Sequence, residues 1–295
     1  MKFFLCIDDT DDMEKTVGTG EIAQIIFSGL KREGCKMEYT ITRHQLLLDD
    51  NIDYTSHNSS MCMEGETDWK KEDLLDFAEK IVLEHMSPAS NPGICLYFPT
   101  KKDDIDKVTA FGEAAKKYVI SLEQAAALQN EIENLYLIAP GGNGNGMIGA
   151  LAGVGLRMSG MDGTFRGKVK TLRPGCVLSV KEAKNVLHVD FVIDFDGKEL
   201  PDDVCIRSGN HVKIIYYRFK RAIAVFKTQD DAYEICSLAF EFESGFRKDE
   251  IMKKDCCRDF VWDNDTEEQW SEAYGACQNC LYRELYAGGM RCRKG

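Results

Sequence analysis

The chain opens on an apolar run, Phe3-Phe4-Leu5-Cys6-Ile7, that ends without transition in Asp8-Asp9-Thr10-Asp11-Asp12. A short run of this kind reads as a buried strand, and the four carboxylates fall at its tip. A strand tip fixes backbone direction, so Asp8, Asp9 and Asp11 are placed to meet one hard cation without the ordering cost of a flexible loop. Magnesium is the expected ion. A calcium loop would need alternating acids, a glycine and a closing glutamate, and these residues do not keep that spacing. The plainer alternative is an acidic surface turn.

Behind the acids, Gly18-Thr19-Gly20 opens a segment in which Ile22, Ile25, Ile26 and Leu30 share one helical face. Strand, acidic turn, glycine turn and helix come in that order. The order suits phosphate binding, because the N–H groups at a helix start attract anions while acids hold the bridging metal. Thr10, Gly18 and Thr19 are the nucleotide-binding residues expected in this stretch.

With 295 residues, 44% of them hydrophobic, the chain can bury a sizeable core and divides into two or three domains. No apolar run reaches membrane-span length, and Asp8 interrupts the first one too early for a signal peptide, so a cytoplasmic protein with no membrane partner is expected. Twelve cysteines without an export signal read as thiols or metal ligands rather than disulfides. The net charge of −12 argues against a polyanion covering the whole surface and leaves room for a local basic patch.

Residues 36 to 48 read as a second strand from their β-branched and aromatic content. Ser56-His57-Asn58 lies in a stretch of small polar residues that either lines a polar site or makes turns. Helical spacing recurs over 74–85, 105–118 and 122–132, with short strands at 94–98 and 135–138 between them, which gives an alternating α/β pattern.

Pro140-Gly141-Gly142-Asn143-Gly144-Asn145-Gly146 then precedes a helical stripe from Met147 to Met158. This is a second phosphate-loop candidate, since glycines let backbone N–H groups approach a ligand and the helix adds its dipole. Gly144, Gly146 and Gly149 satisfy G-x-G-x-x-G, yet the acidic strand tip that a dinucleotide fold needs about 20 residues on is here the turn Gly160-Met161-Asp162-Gly163. A Walker A loop is excluded because no Lys-Ser/Thr pair comes after the glycines. A tight strand-to-helix turn is the structural alternative.

Beyond Phe165 the pattern turns to β, with alternation over 187–195 and short strands at 204–206, 212–217 and 222–226. Tyr216-Tyr217-Arg218-Phe219-Lys220-Arg221 interleaves aromatic and basic side chains that could clamp single-stranded nucleic acid, or form an ordinary strand with its charges in water. The tail carries Cys277-x-x-Cys280, with Cys292 and Cys256 or Cys257 as further thiolates for zinc or an iron–sulfur cluster, or else free thiols among helical residues.

Two stretches, Ile7-Asp8-Asp9-Thr10-Asp11 and Gly142-Asn143-Gly144-Asn145-Gly146-Met147-Ile148-Gly149-Ala150-Leu151-Ala152-Gly153-Val154-Gly155, resemble signature segments of the archaeal tRNA-isoleucine agmatinylcytidine synthetases. Thr42-Arg43-His44 and Ser56-His57-Asn58 stand where that family has an arginine-asparagine segment and a Gly-Asn pair, and the likeness covers residues 1 to about 165. The resemblance implies an α/β (α+β) fold: a kinase-like nucleotide-binding domain over 1–60 and 136–165, and a ferredoxin-like insertion over 61–135. A β-rich domain over 166–230 and a helical cysteine tail over 231–295 complete the chain, beyond the reach of the motifs. The resemblance further implies that ATP phosphorylates the C2 carbonyl of a tRNA cytidine and that agmatine displaces the phosphate. On this basis Asp8, Asp9 and Asp11 hold magnesium and triphosphate, while Arg43, Asn58 and the loop Gly142, Asn143, Gly144, Asn145 and Gly146 line the nucleotide. Where the family carries a basic Arg-Gly-Asn element this chain has Ser56-His57-Asn58, and the family's C-terminal OB fold and zinc ribbon are longer than the stretch after residue 165 here.

The expectation is a magnesium- and ATP-dependent phosphotransferase or synthetase acting on tRNA or another nucleotide-containing substrate. His44 or His57 is available for acid–base chemistry, although a lone histidine is more often structural. The rivals are a non-catalytic module that senses a nucleotide or binds nucleic acid, and a redox metalloprotein built on the tail.

Overall fold

The computed structural model describes residues 1–12, 17–49, 51–52, 58–167, 172–173, 175–209, 212–228 and 231–236, and the backbone of 283–286 and 289–292. The fold is mixed α/β: among the described residues a 13-stranded sheet carries helices on both faces.

The opening apolar run forms β1 (Lys2–Asp8), the central strand in the first half of that sheet. Its alternation sorts two cores. Phe3, Leu5 and Ile7 face α1 (Thr19–Arg32), which contributes Ile22, Ile26 and Leu30. Phe4 and Cys6 face the opposite core, with Leu151 and Val154 of a helix that succeeds the glycine loop. Each fully buried side chain of this size is worth roughly 1.5–3 kcal/mol of transfer free energy, so a strand covered on both faces anchors the fold.

The 36–48 stretch is not one strand. It divides into β2 (Lys36–Met37) and β3 (Thr42–Gln45), separated by Tyr39 in the left-handed region at φ 47°. Both pieces pair with β4 (Ser59–Glu66), whose first seven residues are all buried. Helix α2 (Lys71–His85) covers the α1 face through Leu74, Ala78 and Val82. Then come β5 (Gly93–Tyr97), α3 (Lys102–Ala115), α4 (Leu122–Glu131), β6 (Leu135–Ile138) and α5 (Gly146–Ser159), the last three helices on the other face. Strand order is β6-β5-β1-β4-β3, antiparallel at every step.

The sheet continues through β7 (Thr164–Phe165), which pairs with β3 by Thr42 and Arg43 and with β11 by Ile215. The second half holds β8 (Val177–Ser179), α6 (Val180–Leu187), β9 (Phe191–Ile193), β10 (Cys205–Arg207), β11 (Ile215–Tyr217), β12 (Lys220–Lys227) and β13 (Tyr233–Ile235). The alternation expected over 187–195 is therefore mostly not strand. Helix α6 runs up to Leu187, His188 turns left-handed at φ 51°, and only Phe191–Ile193 is extended. The helix start is written in the sequence as Ser179-x-x-Glu182, where the Glu182 N–H donates to Ser179 Oγ at 3.2 Å and the Ser179 N–H to Glu182 Oε2 at 2.7 Å. Within the tail the described residues include the sheet strand β13 and a hairpin, β14 (Arg283–Tyr286) against β15 (Gly289–Cys292), and no helix. No helix among the described residues is long and apolar enough to cross a membrane.

Candidate functional site

The acidic turn sits at the C-terminal end of β1, between β4 and β5. Asp8 pairs with Gly93 of β5, and its carboxyl points to the α5 face, where a Cβ built on Gly149 would lie 1.6 Å from Asp8 Oδ2. Only a residue without a side chain fits there. The glycine loop docks on the same end: a Cβ on Gly93 would meet the Gly146 carbonyl carbon at 2.0 Å, and the Gly146 N–H donates to Asn91 O at 3.0 Å. The two motif stretches, separated by more than a hundred residues of sequence, thus share one end of one sheet.

Within the acidic turn the side chains part company. Asp8 is buried, and burial together with the charges of Asp9 and Asp11 holds its carboxyl well above the usual carboxylate range. Asp9 is half-buried and takes the left-handed conformation at φ 52°. Thr10 is fully buried; its Oγ1 donates to Thr19 Oγ1 at 3.0 Å, and its carbonyl accepts the Ser87 N–H at 3.0 Å. Asp11 turns to α1, its Oδ2 accepting the Thr19 N–H at 3.0 Å and the Thr19 hydroxyl at 3.1 Å. Asp12 accepts the Ser87 hydroxyl. Among the described residues no group of three His, Cys, Asp or Glu side chains comes together as a metal site. Asp11 is thus engaged at the start of α1, while the Asp8 carboxyl faces α5.

Sequence reasoning expected open amides at both helix starts, and the structure engages several of them. At α1 the Thr19 N–H goes to Asp11, and the Gly18 N–H donates to Glu21 Oε2 at 3.2 Å. In the glycine loop the Asn143 N–H donates to Asn91 Oδ1 at 3.0 Å and the Asn145 N–H to Asn143 Oδ1 at 2.9 Å. Gly142 and Gly144 take positive φ of 65° and 83°, where a side chain would be strained. The loop's glycines thus serve a tight turn packed on Asn91.

Arg43 Nε donates to Ser59 Oγ at 3.0 Å and its guanidinium reaches Gln45 Oε1 at 3.3 Å; through Met61 it is level with Ile7, the residue before the acidic turn. Asn58 closes the loop between β3 and β4: its side-chain amide donates to Leu47 O at 2.6 Å, and its carbonyl accepts the Leu46 N–H at 2.7 Å. Ser56 and His57, together with Cys256, Cys257, Cys277 and Cys280, fall outside the described residues, and of Cys292 only the backbone, in β15, is described.

A buried polar chain beside this site is absent from the sequence expectations. His44 is fully buried; its Nδ1 bonds Asp162 Oδ1 at 2.8 Å and its Nε2 bonds Thr42 Oγ1 at 2.7 Å. Lys116 pairs with the other oxygen of Asp162. Thr42 Oγ1 also accepts from Arg157 Nη1 at 2.8 Å, and Arg157 Nε donates to Glu64 Oε2 at 3.0 Å. Burial lowers the His44 pKa, helped by the Arg157 and Lys116 charges and opposed by Asp162, so the imidazole is neutral. Burial opposes ionisation of Asp162, but Lys116 and His44 outweigh it and keep the carboxylate charged. His44 is held by structural partners on both ring nitrogens rather than facing a substrate. The sequence signal for this chain of contacts is Arg157, a lone charge in the otherwise apolar and small-residue helix α5.

No protein-family model matches the chain, and no curated protein matches it. Solved structures similar to it come from enzymes that handle tRNA. A tRNA fluorescent labeling enzyme matches with 25% identity and a TM-score of 0.46, over 52% of this chain and 36% of that one. Apo TiaS, an agmatidine synthetase for an isoleucine tRNA, matches with 24% identity and a TM-score of 0.45, over 52% of this chain and 35% of that one. TiaS in complex with that tRNA and ATP matches with 24% identity and a TM-score of 0.46, over 52% and 36%. The matched region spans little more than a third of those chains.

Proposed function

We propose that the chain is a magnesium- and ATP-dependent phosphotransferase or synthetase acting on tRNA or another nucleotide-containing substrate. In this reading residues 1–60 and 136–165 form a kinase-like nucleotide unit and 61–135 a ferredoxin-like insertion. One observation carries it: the Asp8 carboxyl abuts Gly149, so the acidic turn and the helix behind the glycine loop form one wall.

Phosphoryl transfer asks a protein mainly for positioning and for neutralisation of spreading charge. Asp8 and Asp9 supply hard oxygen donors at a strand tip, and the field of Asp9 and Asp11 on buried Asp8 is the kind of charge imbalance a divalent cation relieves. Magnesium needs only one or two protein carboxylates, because phosphate oxygens and water complete its shell, so these residues fit it without a three-acid cage. When bound, the ion would neutralise the phosphates. Asp11 positions the start of α1 by accepting from Thr19, and Arg43 stands on the same sheet end as a cation for an anionic ligand. The rim of Gly142–Gly146 lines the nucleotide.

The test is ATP turnover by Asp8→Asn and Asp9→Ala variants in the presence of magnesium and bulk tRNA. Both are expected to lose turnover while keeping a native far-UV spectrum. Full activity in both overturns the assignment, and wild-type binding of nucleotide without any turnover leaves a sensing module instead. The tail cysteines add a second metal to the proposal, zinc or an iron–sulfur cluster, which elemental analysis and the colour of anaerobically purified protein distinguish.

A further inference from the structure

The hairpin joining β11 to β12 turns on Arg218 and Phe219, at φ 49° and 61°. A two-residue turn with both central residues left-handed is ordinarily built from Asn and Gly. Here it carries two large side chains, a backbone cost that persists only where the surroundings hold it. They do: the Phe219 N–H donates to Gly160 O at 3.1 Å, and the Phe219 ring lies so close over Gly160 that a Cβ there would be 2.7 Å from it. The ring is nevertheless 58% exposed.

Phe219 is one end of a ladder of four rings. It meets buried Tyr216 edge-on at 6.4 Å, Tyr216 meets Phe165 at 5.6 Å, and Phe165 meets Tyr39 at 5.8 Å. Tyr39, the far end, is also left-handed at φ 47° and 46% exposed. The two inner rings lie against guanidinium groups, Arg157 at 4.7 Å from the Tyr216 centroid and Arg221 at 5.8 Å from that of Phe165. Both outer rings are thus solvent-exposed and carried on left-handed backbone. Beside Phe219 stand exposed Arg218, its guanidinium 5.0 Å over the Tyr217 ring, and exposed Lys220, in a solvated pair with Asp190 at 3.4 Å.

We propose that Phe219 and Tyr39 are stacking platforms for unpaired bases of an RNA, with Arg218 and Lys220 on the adjoining phosphates. Flat exposed rings flanked by cations are the usual means of single-stranded nucleic acid recognition, and stacking tolerates any base. A polyanion binds a chain of net charge −12 only through such a local patch. The RNA partner rests on the function proposed above; the surface itself is separate from the acidic turn.

The experiment is fluorescence anisotropy of a labelled single-stranded RNA with the full chain. Phe219→Ala and Phe219→Leu are each expected to weaken binding about tenfold, and Phe219→Trp to retain it. Leucine keeps apolar cover on Gly160 without an aromatic face, so loss in both variants separates stacking from hairpin collapse. Arg218→Gln should lower affinity and flatten its salt dependence. Wild-type affinity in Phe219→Leu, or no binding of the RNA by the wild-type chain, overturns the inference. If ATP turnover survives in that case and still requires Asp9, the nucleotide assignment stands alone.

Discussion

Asp8 Oδ2 occupies the volume in which any side chain at Gly149 would begin. The carboxylate at the tip of β1 and the first turn of α5 are therefore fitted to each other, and the fit can be measured. Gly149→Ala is expected to destabilise the protein by about 1–3 kcal/mol through overpacking, although alanine is the better helix former. Asp8→Ala removes the obstructing oxygen, so the double variant should recover most of that loss. A denaturant series over the four proteins checks this; strictly additive effects would mean that the two residues do not touch.

Asp11 commits an oxygen to the first turn of α1. Asp11→Ala should cost about 0.5–2 kcal/mol, the usual loss on removing a helix cap, and Asp11→Asn, which keeps an acceptor for the Thr19 N–H, clearly less. Thermal melts of the two variants decide it. Equal losses would point to the charge rather than the hydrogen bond.

His44 gives the fold a dependence on pH with a defined sign. Its pKa is lowered from 6.5 by burial, so the unfolded chain binds a proton that the folded one refuses. The resulting stability is complete above 6.5 and declines as pH falls below that value. Urea unfolding between neutral and mildly acidic pH should therefore show a steeper loss for the wild type than for His44→Gln. Parallel curves would refute the assignment.

Arg157 is fully buried between Glu64 and the ring of Tyr216. Arg157→Met takes away the buried partner of Glu64, leaving it only the exposed Lys2 ammonium at 3.7 Å, and should cost up to about 3–5 kcal/mol, whereas pairing it with Glu64→Gln should restore part of the loss. Unfolding midpoints of the single and double variants test this.

These residues also mark where sequence reading reaches its limit. Helices α1 to α5 declare themselves through Ile22-Ile26-Leu30 and similar stripes, since an amphipathic period is local information. Strand β4 does not, because Ser59–Gly65 is covered on both faces and so lacks alternation. The break at Tyr39 arises because β4 takes β2 and β3 as separate partners, a tertiary demand that no propensity of residues 36–48 expresses. The acidic turn and the glycine loop are each recognisable, but their meeting at Gly93 and Gly149 is not, for it depends on β5 lying beside β1. The chain of contacts from Glu64 to Lys116 is invisible for another reason: lysine and glutamate are normally in water, and only the fold draws them inside.

Strand β7 is two residues long, yet it joins β3 on one side to β11 on the other. A fragment ended just after Phe165 would retain the acidic turn and the glycine loop, while its last strand would present bare N–H and C=O groups to solvent where Ile215 had been. Such a fragment would seek another backbone, and self-association rather than loss of secondary structure would be the first sign that the C-terminal half had been taken away.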